Sequence, residues 1–359
     1  MAILNNELIM RKIPMPKCTA SFAEHSVHSD EYRKMLCENE YGYLPPLPLE
    51  TKFELLKCDK SFCAGKAYLR EYKLSMVLAN GKSFSFPFRY VKPNTDGNKK
   101  AVVLINFRPH VPDKYYPAEH ICDRGYAVAS FCYTDVTSDD NDFTNGLAGA
   151  LFGNTPRRAY DTGKIMMWAW AAMRVCDFLM TQSDIDHDNI IVTGHSRLGK
   201  TALVCGAFDG RFTFVHSNDS GCSGAAISRG KKGENIAKIV TQFPYWFCPE
   251  YAKHAENEDK MPFDQNHLLY CIAPRYVYIS SAEEDLWADP LSEMLNCRAA
   301  SAVYEAFGMK GFVCEDKMPA AGDTYHDGEI GYHIRSGAHY FSDYDWERLL
   351  DFVDLKTKI

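Results

Sequence analysis

The sequence lacks a long hydrophobic run, and the longest one, IMMWAWAAM, occupies only residues 165–173. A membrane-spanning helix needs roughly 18 consecutive apolar residues, so this run predicts a buried helix and no membrane partner. A Lys/Arg-rich stretch is also missing, and the net charge is −7. Nucleic-acid-binding proteins usually carry a basic patch, so we expect no nucleic-acid partner.

The N-terminus lacks the basic start and long apolar core of a secretory signal, because Asn5 and Glu7 interrupt it early. None of the 13 cysteines belongs to a C-x-x-C pair, which argues against a zinc or redox centre. Cys132 and Cys176 lie in apolar stretches, where free cysteine behaves as a small hydrophobe. We therefore expect no metal, no cofactor and a reducing, cytoplasmic setting, although a secreted protein trimmed of its leader would look the same.

Hydrophobic residues make up 46% of the chain, which is enough for a sizeable core. Residues 1–60 show no periodicity and contain the proline-bearing stretch YGYLPPLPLE, so we expect an N-terminal extension packed on the domain. Residues 61–359 are predicted to form a single catalytic domain. It opens with a β-hairpin around residues 80–81, Asn-Gly, and continues with buried strands that alternate with helices. This order predicts an α/β fold, with a mainly parallel central sheet covered by helices on both faces in three layers.

The segment GHSRLGKT, residues 194–201, has two incompatible interpretations. It satisfies the phosphate-binding P-loop pattern G-x-x-x-x-G-K-[ST]. It also places Ser196 between a short apolar strand and a helix, where a serine hydrolase carries its nucleophile. A P-loop requires an aspartate that holds Mg²⁺, and Asp135 could serve formally. However, P-loops usually open their domain, whereas several predicted strands precede this segment.

The nucleophile interpretation requires an acid and then a histidine later in the chain. Asp285 follows the predicted strand RYVYISS, and His339 follows the last predicted strand. Both lie at the carboxyl ends of strands, where open α/β sheets form their active sites. A serine hydroxyl needs an imidazole to accept its proton and a carboxylate to orient that imidazole. His333 is the alternative base, but its position within a strand favours a packed or substrate-facing residue.

The second glycine of GHSRLGK comes one residue later than in the common G-x-S-x-G pattern. In this form the segment resembles the G-x-S-R-x-G-K signature of glucuronoyl esterases, carbohydrate esterase family 15. The resemblance extends from about residue 102 to the C-terminus and includes NDSGCSGAA, TQFPYWF, MPFDQNHLL and SAEEDLWADP. It implies an α/β-hydrolase fold and cleavage of an ester between glucuronic acid, or its 4-O-methyl form, and an alcohol. The natural setting that it implies is the lignin–carbohydrate linkage.

The resemblance also implies roles for individual residues. Ser196 would be the nucleophile, His339 the base, and Arg197 part of the oxyanion hole. Residues at sugar-binding positions would be Lys200, Gln242, Glu250 and Trp287. The acid has two candidates, because the family often places it where Asp219 stands, whereas Asp285 occupies the more general hydrolase position. We slightly favour Asp285, since aspartate at position 219 is one methylene shorter than the family's usual glutamate.

Three other functions fit parts of the sequence. An esterase that deacetylates xylan or acetylated sugars would use the same triad with a different pocket. A catalytically silent, carbohydrate-binding relative would keep the fold alone, and a P-loop protein would bind a nucleotide. We expect a small-molecule or oligosaccharide substrate, and the sequence gives no indication of the oligomeric state.

Overall fold

Ten strands form one sheet in the computed structural model, which describes residues 3–357. The strands are β1 (Glu50–Asp59), β2 (Ala67–Val77), β3 (Ser83–Pro93), β4 (Lys99–Asn106), β5 (Ala127–Cys132), β6 (Ile185–His195), β7 (Phe212–Asn218), β8 (Tyr276–Ala282), β9 (Thr324–Tyr325) and β10 (Ile330–Arg335). Their order in the sheet is β1-β2-β3-β5-β4-β6-β7-β8-β10-β9. The six strands from β5 to β10 in this order pair in parallel, and the outer strands pair antiparallel.

Helices surround this sheet. Within residues 3–357 they are α1 (Ile3–Met10), α2 (Phe22–Leu36), α3 (Ala118–Asp123), α4 (Tyr133–Val136), α5 (Gly146–Leu151), α6 (Lys164–Leu179), α7 (Arg197–Phe208), α8 (Ile236–Gln242), α9 (Asn266–Tyr270), α10 (Pro290–Ala306) and α11 (Asp343–Thr357). A π-helical turn, Cys37–Tyr41, continues α2, and short 3-10 turns span Phe62–Gly65, Pro244–Trp246, Pro249–His254 and Glu258–Lys260. None of the described helices has both the length and the apolar character needed to cross a membrane.

The central strands are buried on both faces, which explains their continuous apolar sequences. On β4, Val103 and Ile105 belong to one hydrophobic cluster, whereas Val102 and Leu104 belong to another. Successive side chains of a strand point to opposite faces, so the two clusters lie on opposite sides of the sheet. The first cluster contains buried residues of α6, α7 and α10, and the second contains buried residues of α3 and α11. The predicted parallel sheet with helices on both faces is therefore confirmed.

The predicted hairpin is also confirmed, since β2 and β3 pair antiparallel along their whole length. Gly81 adopts the left-handed φ of 78° that its turn requires. The strand β1 pairs with the outer side of β2 and so joins the sheet of the catalytic domain. It precedes residue 60, where we expected the boundary between the N-terminal extension and that domain. Its side chains are almost all exposed, with Phe53 half-buried, so the strand has no apolar alternation that a sequence could reveal.

The N-terminal segment contains regular structure that the sequence did not suggest to us. Helix α2 begins at the N-cap Ser21, whose side chain accepts a hydrogen bond from the backbone N–H of Glu24. Tyr32 of this helix packs edge-on against Tyr270 of α9, with 5.0 Å between ring centroids. Farther along, Gln265 Nε2 donates to both carboxylate oxygens of the buried Glu40, at 2.9 and 3.0 Å. These contacts attach the segment to helices that follow β7.

Candidate active site

Four predicted site residues follow four neighbouring strands of the sheet. Ser196 follows β6, Asp219 follows β7, Asp285 lies beyond β8, and His339 lies beyond β10. The carboxyl ends of parallel strands meet at one edge of a sheet, so residues distant in the sequence converge there. They line a cavity of about 370 Å³. The other lining residues are Arg197, Lys200, Ser220, Gly221, Glu234, Gln242, Phe243, Trp246, Trp287 and Ala288.

Ser196 occupies the sharp turn between β6 and α7. Its φ of 59° and ψ of −126° are unusual for a residue other than glycine, and such strain is typical of a nucleophile turn. The backbone N–H of Ser196 donates to the Asn218 carbonyl at 2.8 Å, which fixes the turn to β7. Position 194, two residues before Ser196, requires glycine, because a Cβ there would lie 2.3 Å from the Leu198 carbonyl oxygen.

Gly199, the second glycine of the motif, serves the packing of α7 against the end of β7. A Cβ at this position would lie 2.8 Å from Ser217 Oγ and 3.0 Å from Ser220 Cβ. The glycine therefore lets the helix approach the loop that carries Asp219. This close approach accounts for a glycine three residues after Ser196 in this chain.

We expect Gly194→Ala to lower the free energy of unfolding by about 1–3 kcal/mol, because overpacking against a backbone carbonyl cannot be relieved by a side-chain rotation. Urea denaturation measures this change. Gly210→Ala is the matched control, since no atom lies within 4 Å of a Cβ built there. Its stability should stay within about 0.5 kcal/mol of the parent. Equal stability of the two variants would contradict the steric explanation.

His339 and Asp285 form the hydrogen-bonded pair that a triad requires. His339 Nδ1 lies 2.6 Å from Asp285 Oδ2, and the Asp285 side chain is buried whereas that of His339 is 43% exposed. Burial alone would raise the pKa of Asp285, but the hydrogen bond and the charge of His339 outweigh it, and the pKa is lowered. An ionised Asp285 accepts the Nδ1–H, so the other imidazole nitrogen, Nε2, is left to act as a base.

Asp219, the second candidate acid, has different contacts. Its Oδ2 accepts hydrogen bonds from the backbone N–H of Tyr340 at 3.2 Å and from Arg335 Nη2 at 3.4 Å. Burial, and then the charge of Glu293, raises the pKa of Asp219 well above its usual value. Asp285 thus contacts His339 itself, whereas Asp219 contacts the chain on either side of it.

Asp219, Asp285 and His339 form the one His/Cys/Asp/Glu group within residues 3–357 that is close enough to chelate a metal. One ligand atom from each lies within 4.8 Å of the others. Two of its members, His339 and Asp285, are already hydrogen-bonded to each other.

Arg197 begins α7, directly after Ser196. The first N–H groups of a helix have no partner within it, and the N–H after the nucleophile commonly stabilises the oxyanion. The Arg197 guanidinium bonds to Asp139 and lies over the Trp246 ring, 4.8 Å from its centroid. Asp139 also accepts from Trp246 Nε1 at 2.7 Å. These contacts hold the Arg197 guanidinium, paired with the Asp139 carboxylate, at the wall of the cavity.

Lys200 lies one helical turn beyond Ser196 and is buried. Its Nζ donates to the carbonyl oxygens of Ser220 at 2.5 Å and Cys222 at 2.6 Å, and lies 3.4 Å from Glu234 Oε2. The three protons of the ammonium are thus directed at acceptors within the protein, and this arrangement gives no support to a phosphate-binding lysine. Glu234 was not predicted from the sequence, because no motif surrounds it and only the fold brings it to Lys200.

Gln242 and Trp287 line the cavity, and Glu250 does not. Trp287 is 47% exposed, and Lys238 Nζ lies 5.0 Å from the centroid of its ring. Glu250 lies in the 3-10 turn Pro249–His254, and its carboxylate bonds to Lys253 Nζ at 2.6 Å. The structure therefore does not place the Glu250 carboxylate in the cavity, and the glutamate that lines the cavity is Glu234.

His333, the alternative base, is fully buried and does not line the cavity. Its ring nitrogens bond to Asp345 Oδ1 and to the Tyr278 hydroxyl, both at 2.9 Å. His195, which precedes the nucleophile turn, packs with its ring centroid 4.4 Å from that of His339. Burial, and then the charge of His339, lowers the pKa of His195 to about 3, so it packs as a neutral ring.

The site contains a strained serine between a strand and a helix, and an Asp–His pair beside it at the carboxyl edge of a parallel sheet. This arrangement defines an α/β-hydrolase. The family model described as "Glucuronyl esterase, fungi" matches residues 76–308. The chain therefore belongs to the glucuronoyl esterases, carbohydrate esterase family 15. The matched segment contains Ser196 and Asp285 and ends before His339.

Individual relatives agree with this assignment. A carbohydrate esterase from an unknown prokaryotic organism is 41% identical over 233 residues, which cover 64% of this chain and 54% of that protein. The 4-O-methyl-glucuronoyl methylesterase 1 of Sodiomyces alcalophilus is 28% identical over 222 residues, which cover 59% of this chain and 42% of that protein. The matches thus span about half the length of these curated relatives. The solved glucuronoyl esterase from Solibacter usitatus superimposes with a TM-score of 0.84 at 30% identity and covers 92% of both chains.

Proposed function

We propose that this protein is a serine esterase that hydrolyses esters of glucuronic acid or its 4-O-methyl form. The observation that carries the proposal is the hydrogen bond between His339 and Asp285 in the cavity that Ser196 also lines. In this mechanism Ser196 attacks the ester carbonyl while His339 takes its proton. The Arg197 N–H stabilises the oxyanion, and His339 then protonates the departing alcohol. Water attacks the acyl-enzyme in the second half of the reaction.

The polarity of the cavity wall supports a sugar acid as the acyl group. Lys200 is saturated by its three acceptors, but Glu234 Oε1 accepts no hydrogen bond from residues 3–357 and can accept one from a sugar hydroxyl. The Gln242 amide is likewise unbonded in the described part of the chain, and Trp287 offers a ring face. An acetyl group would leave the oxygen of the buried Glu234 unpaired, at a cost of about 1–3 kcal/mol, whereas the exposed Gln242 would stay hydrated. The methylesterase named above acts on the same class of acyl group.

Deacetylation of sugars is the second candidate. One solved relative, 31% identical with a TM-score of 0.81, is described as a promiscuous esterase of this family from a marine bacterial metagenome. Acetyl esters fit sterically in a cavity of about 370 Å³. The preference for glucuronoyl over acetyl esters therefore depends on the Glu234 oxygen that an acetyl group leaves unpaired. The silent, carbohydrate-binding alternative is disfavoured by the intact serine, histidine and aspartate.

A panel of methyl glucuronate, benzyl glucuronate, acetylated xylose and p-nitrophenyl acetate tests the proposal. We expect the highest kcat/KM for the glucuronate esters. Efficient deacetylation without detectable glucuronate-ester cleavage would overturn the substrate class and leave the esterase assignment. A fluorophosphonate that fails to label the folded protein would overturn the esterase assignment as well, because only an activated serine reacts.

We expect Trp287→Ala to raise KM for methyl glucuronate by about two- to tenfold, the equivalent of a ring-face contact of about 0.5–1.5 kcal/mol. The KM for p-nitrophenyl acetate should change little, since its acyl group has no ring and its nitrophenyl ring belongs to the leaving group, on the other side of the carbonyl. Leu286→Ala is the control, because Leu286 is the exposed neighbour and does not line the cavity. Equal effects on both substrates would argue that Trp287 is a structural residue.

A further inference from the structure

Arg335 is the last residue of β10, and its guanidinium points into the protein. Its five N–H donors contact acceptors on helix α11, in the loop after β10 and in the loop after β7. Its Nε lies 2.9 Å from Asp345 Oδ2, at the start of α11. Nη1 donates to the carbonyl oxygens of Ser336 and Ala338, both at 3.1 Å. Nη2 donates to the Tyr340 carbonyl at 2.5 Å and to Asp219 Oδ2 at 3.4 Å. The side chain is only 10% exposed.

The three carbonyls belong to the short loop that carries His339. Ala338 and Tyr340 are its two neighbours in the chain, and both accept from the same guanidinium. Backbone groups in such a loop have no strand or helix partners and must be satisfied by other donors. Gly337, with a φ of 96°, adds conformational freedom at this point. Without Arg335, the backbone on both sides of His339 loses its principal hydrogen-bond partner.

The guanidinium is itself anchored on both sides. Asp345 accepts from Arg335 and also from His333 and from the backbone N–H of Ser342 at 2.7 Å, which secures it behind the loop. On the other side, Asp219 accepts from Arg335 and from the Tyr340 N–H. A planar fork of five donors can bridge these separated acceptors, whereas a lysine ammonium has three donors at one point.

We propose that Arg335 is a positioning residue that holds the His339 loop so that the imidazole can contact Asp285 and Ser196 together. The proposal rests on the esterase mechanism proposed above. It also assigns a role to Asp219, which acts on the His339 loop through Arg335 and the Tyr340 N–H instead of orienting the imidazole directly. Arg335 does not line the cavity, so its loss should change turnover more than binding.

The test compares Arg335→Ala and Arg335→Lys with the parent protein on p-nitrophenyl acetate and methyl glucuronate. We expect Arg335→Ala to lower kcat by about 100-fold, the effect of a displacement near 1 Å in catalytic geometry, with KM nearly unchanged. Arg335→Lys should also lower kcat, because charge alone does not replace the fork. Millimolar guanidinium chloride should restore part of the turnover of Arg335→Ala and none in Ser196→Ala.

Arg124→Ala is the matched control. Arg124 pairs with Glu347, Asp351 and Asp354 of α11, so its loss removes comparable ion pairs on the helix that also contains Asp345. Its kcat should stay close to that of the parent. If Arg335→Ala does not fold, Arg335→Lys supplies the same comparison, with the rate of fluorophosphonate labelling as a second readout.

Parent-like kcat in folded Arg335→Lys and Arg335→Ala would overturn the proposal. A second result would also overturn it: Arg335→Ala loses activity only in proportion to its loss of stability, and by the same factor as Arg124→Ala. In that case guanidinium chloride would also fail to restore turnover. These outcomes differ from failure of the proposed function, in which the parent protein itself hydrolyses no ester. A parent that cleaves p-nitrophenyl acetate but no glucuronate ester would overturn the substrate class and leave the Arg335 comparison valid.

Discussion

Ser196→Ala is expected to reduce ester hydrolysis by about 10⁶-fold, the cost of losing the nucleophile in other serine hydrolases. Alanine keeps the Cβ and therefore accepts the same backbone strain at φ 59°, so the fold should be retained. Hydrolysis of p-nitrophenyl acetate and fluorophosphonate labelling measure the loss, and circular dichroism with urea denaturation checks the fold. The structural reason is that no other hydroxyl among residues 3–357 occupies the turn between β6 and α7.

Thr201→Ala provides the control that separates a nucleophile turn from a P-loop. A P-loop would use this hydroxyl to bind Mg²⁺, whereas here it donates to the Arg197 carbonyl within α7, at 2.9 Å. We expect nearly normal esterase activity in Thr201→Ala. Parent-like turnover in folded Ser196→Ala would refute the mechanism, and nucleotide binding with micromolar affinity in the parent would revive the P-loop.

Asp285→Asn should lower kcat by about 10⁴-fold, because an amide no longer selects the His339 tautomer or stabilises the imidazolium, as in other triads. The fold should persist, since asparagine has the shape of aspartate and can still accept from the Ala288 N–H, now 3.1 Å from Asp285 Oδ1. Steady-state kinetics on methyl glucuronate measure the loss.

Asp219→Asn is the comparison that separates the two candidate acids. Its side-chain oxygen can still accept from Arg335 and Tyr340, so we expect a loss of about tenfold or less in kcat. The opposite pattern, with little change in Asp285→Asn and an inactive Asp219→Asn, would reverse the assignment. Small single effects with a far larger effect of the double change would mean that the two carboxylates share the role.

The convergence of Ser196, Asp285 and His339 in one cavity was predictable from the sequence because each follows a recognisable strand. Ser196, Asp285 and His339 come after buried apolar runs, and a parallel sheet brings such strand ends to one edge. The buried helix α6 was equally visible, from its continuous apolar run. The exposed strand β1 and helix α2 were missed, since neither has a strong apolar pattern, although Ser21 and Glu24 have the spacing of a capping box.

The walls of the cavity were less predictable than its catalytic edge. Glu250 was chosen by its position in a family-like segment, but its carboxylate pairs with Lys253 outside the cavity, and it is Glu234 that approaches Lys200. Arg335 gave no signal either, because its five contacts come from residues at sequence separations from 1 to 116. Four of the five partners lie within ten residues of Arg335 but belong to no recognisable motif, and Asp219 is brought to it only by the assembled sheet.

Part of the cavity wall comes from a different kind of backbone than the proposed catalytic residues, although Lys200 lies on α7 and Trp287 follows β8. Ser196, Asp285 and His339 are placed by strand ends, whereas Glu234, Gln242 and Trp246 all belong to the long connection between β7 and β8. Substrate preference can therefore diverge by replacement of that connection while the reaction chemistry is inherited unchanged. For protein engineering, a chimera in which residues 230–262 are replaced by the corresponding segment of a relative is a direct way to seek a new acyl specificity.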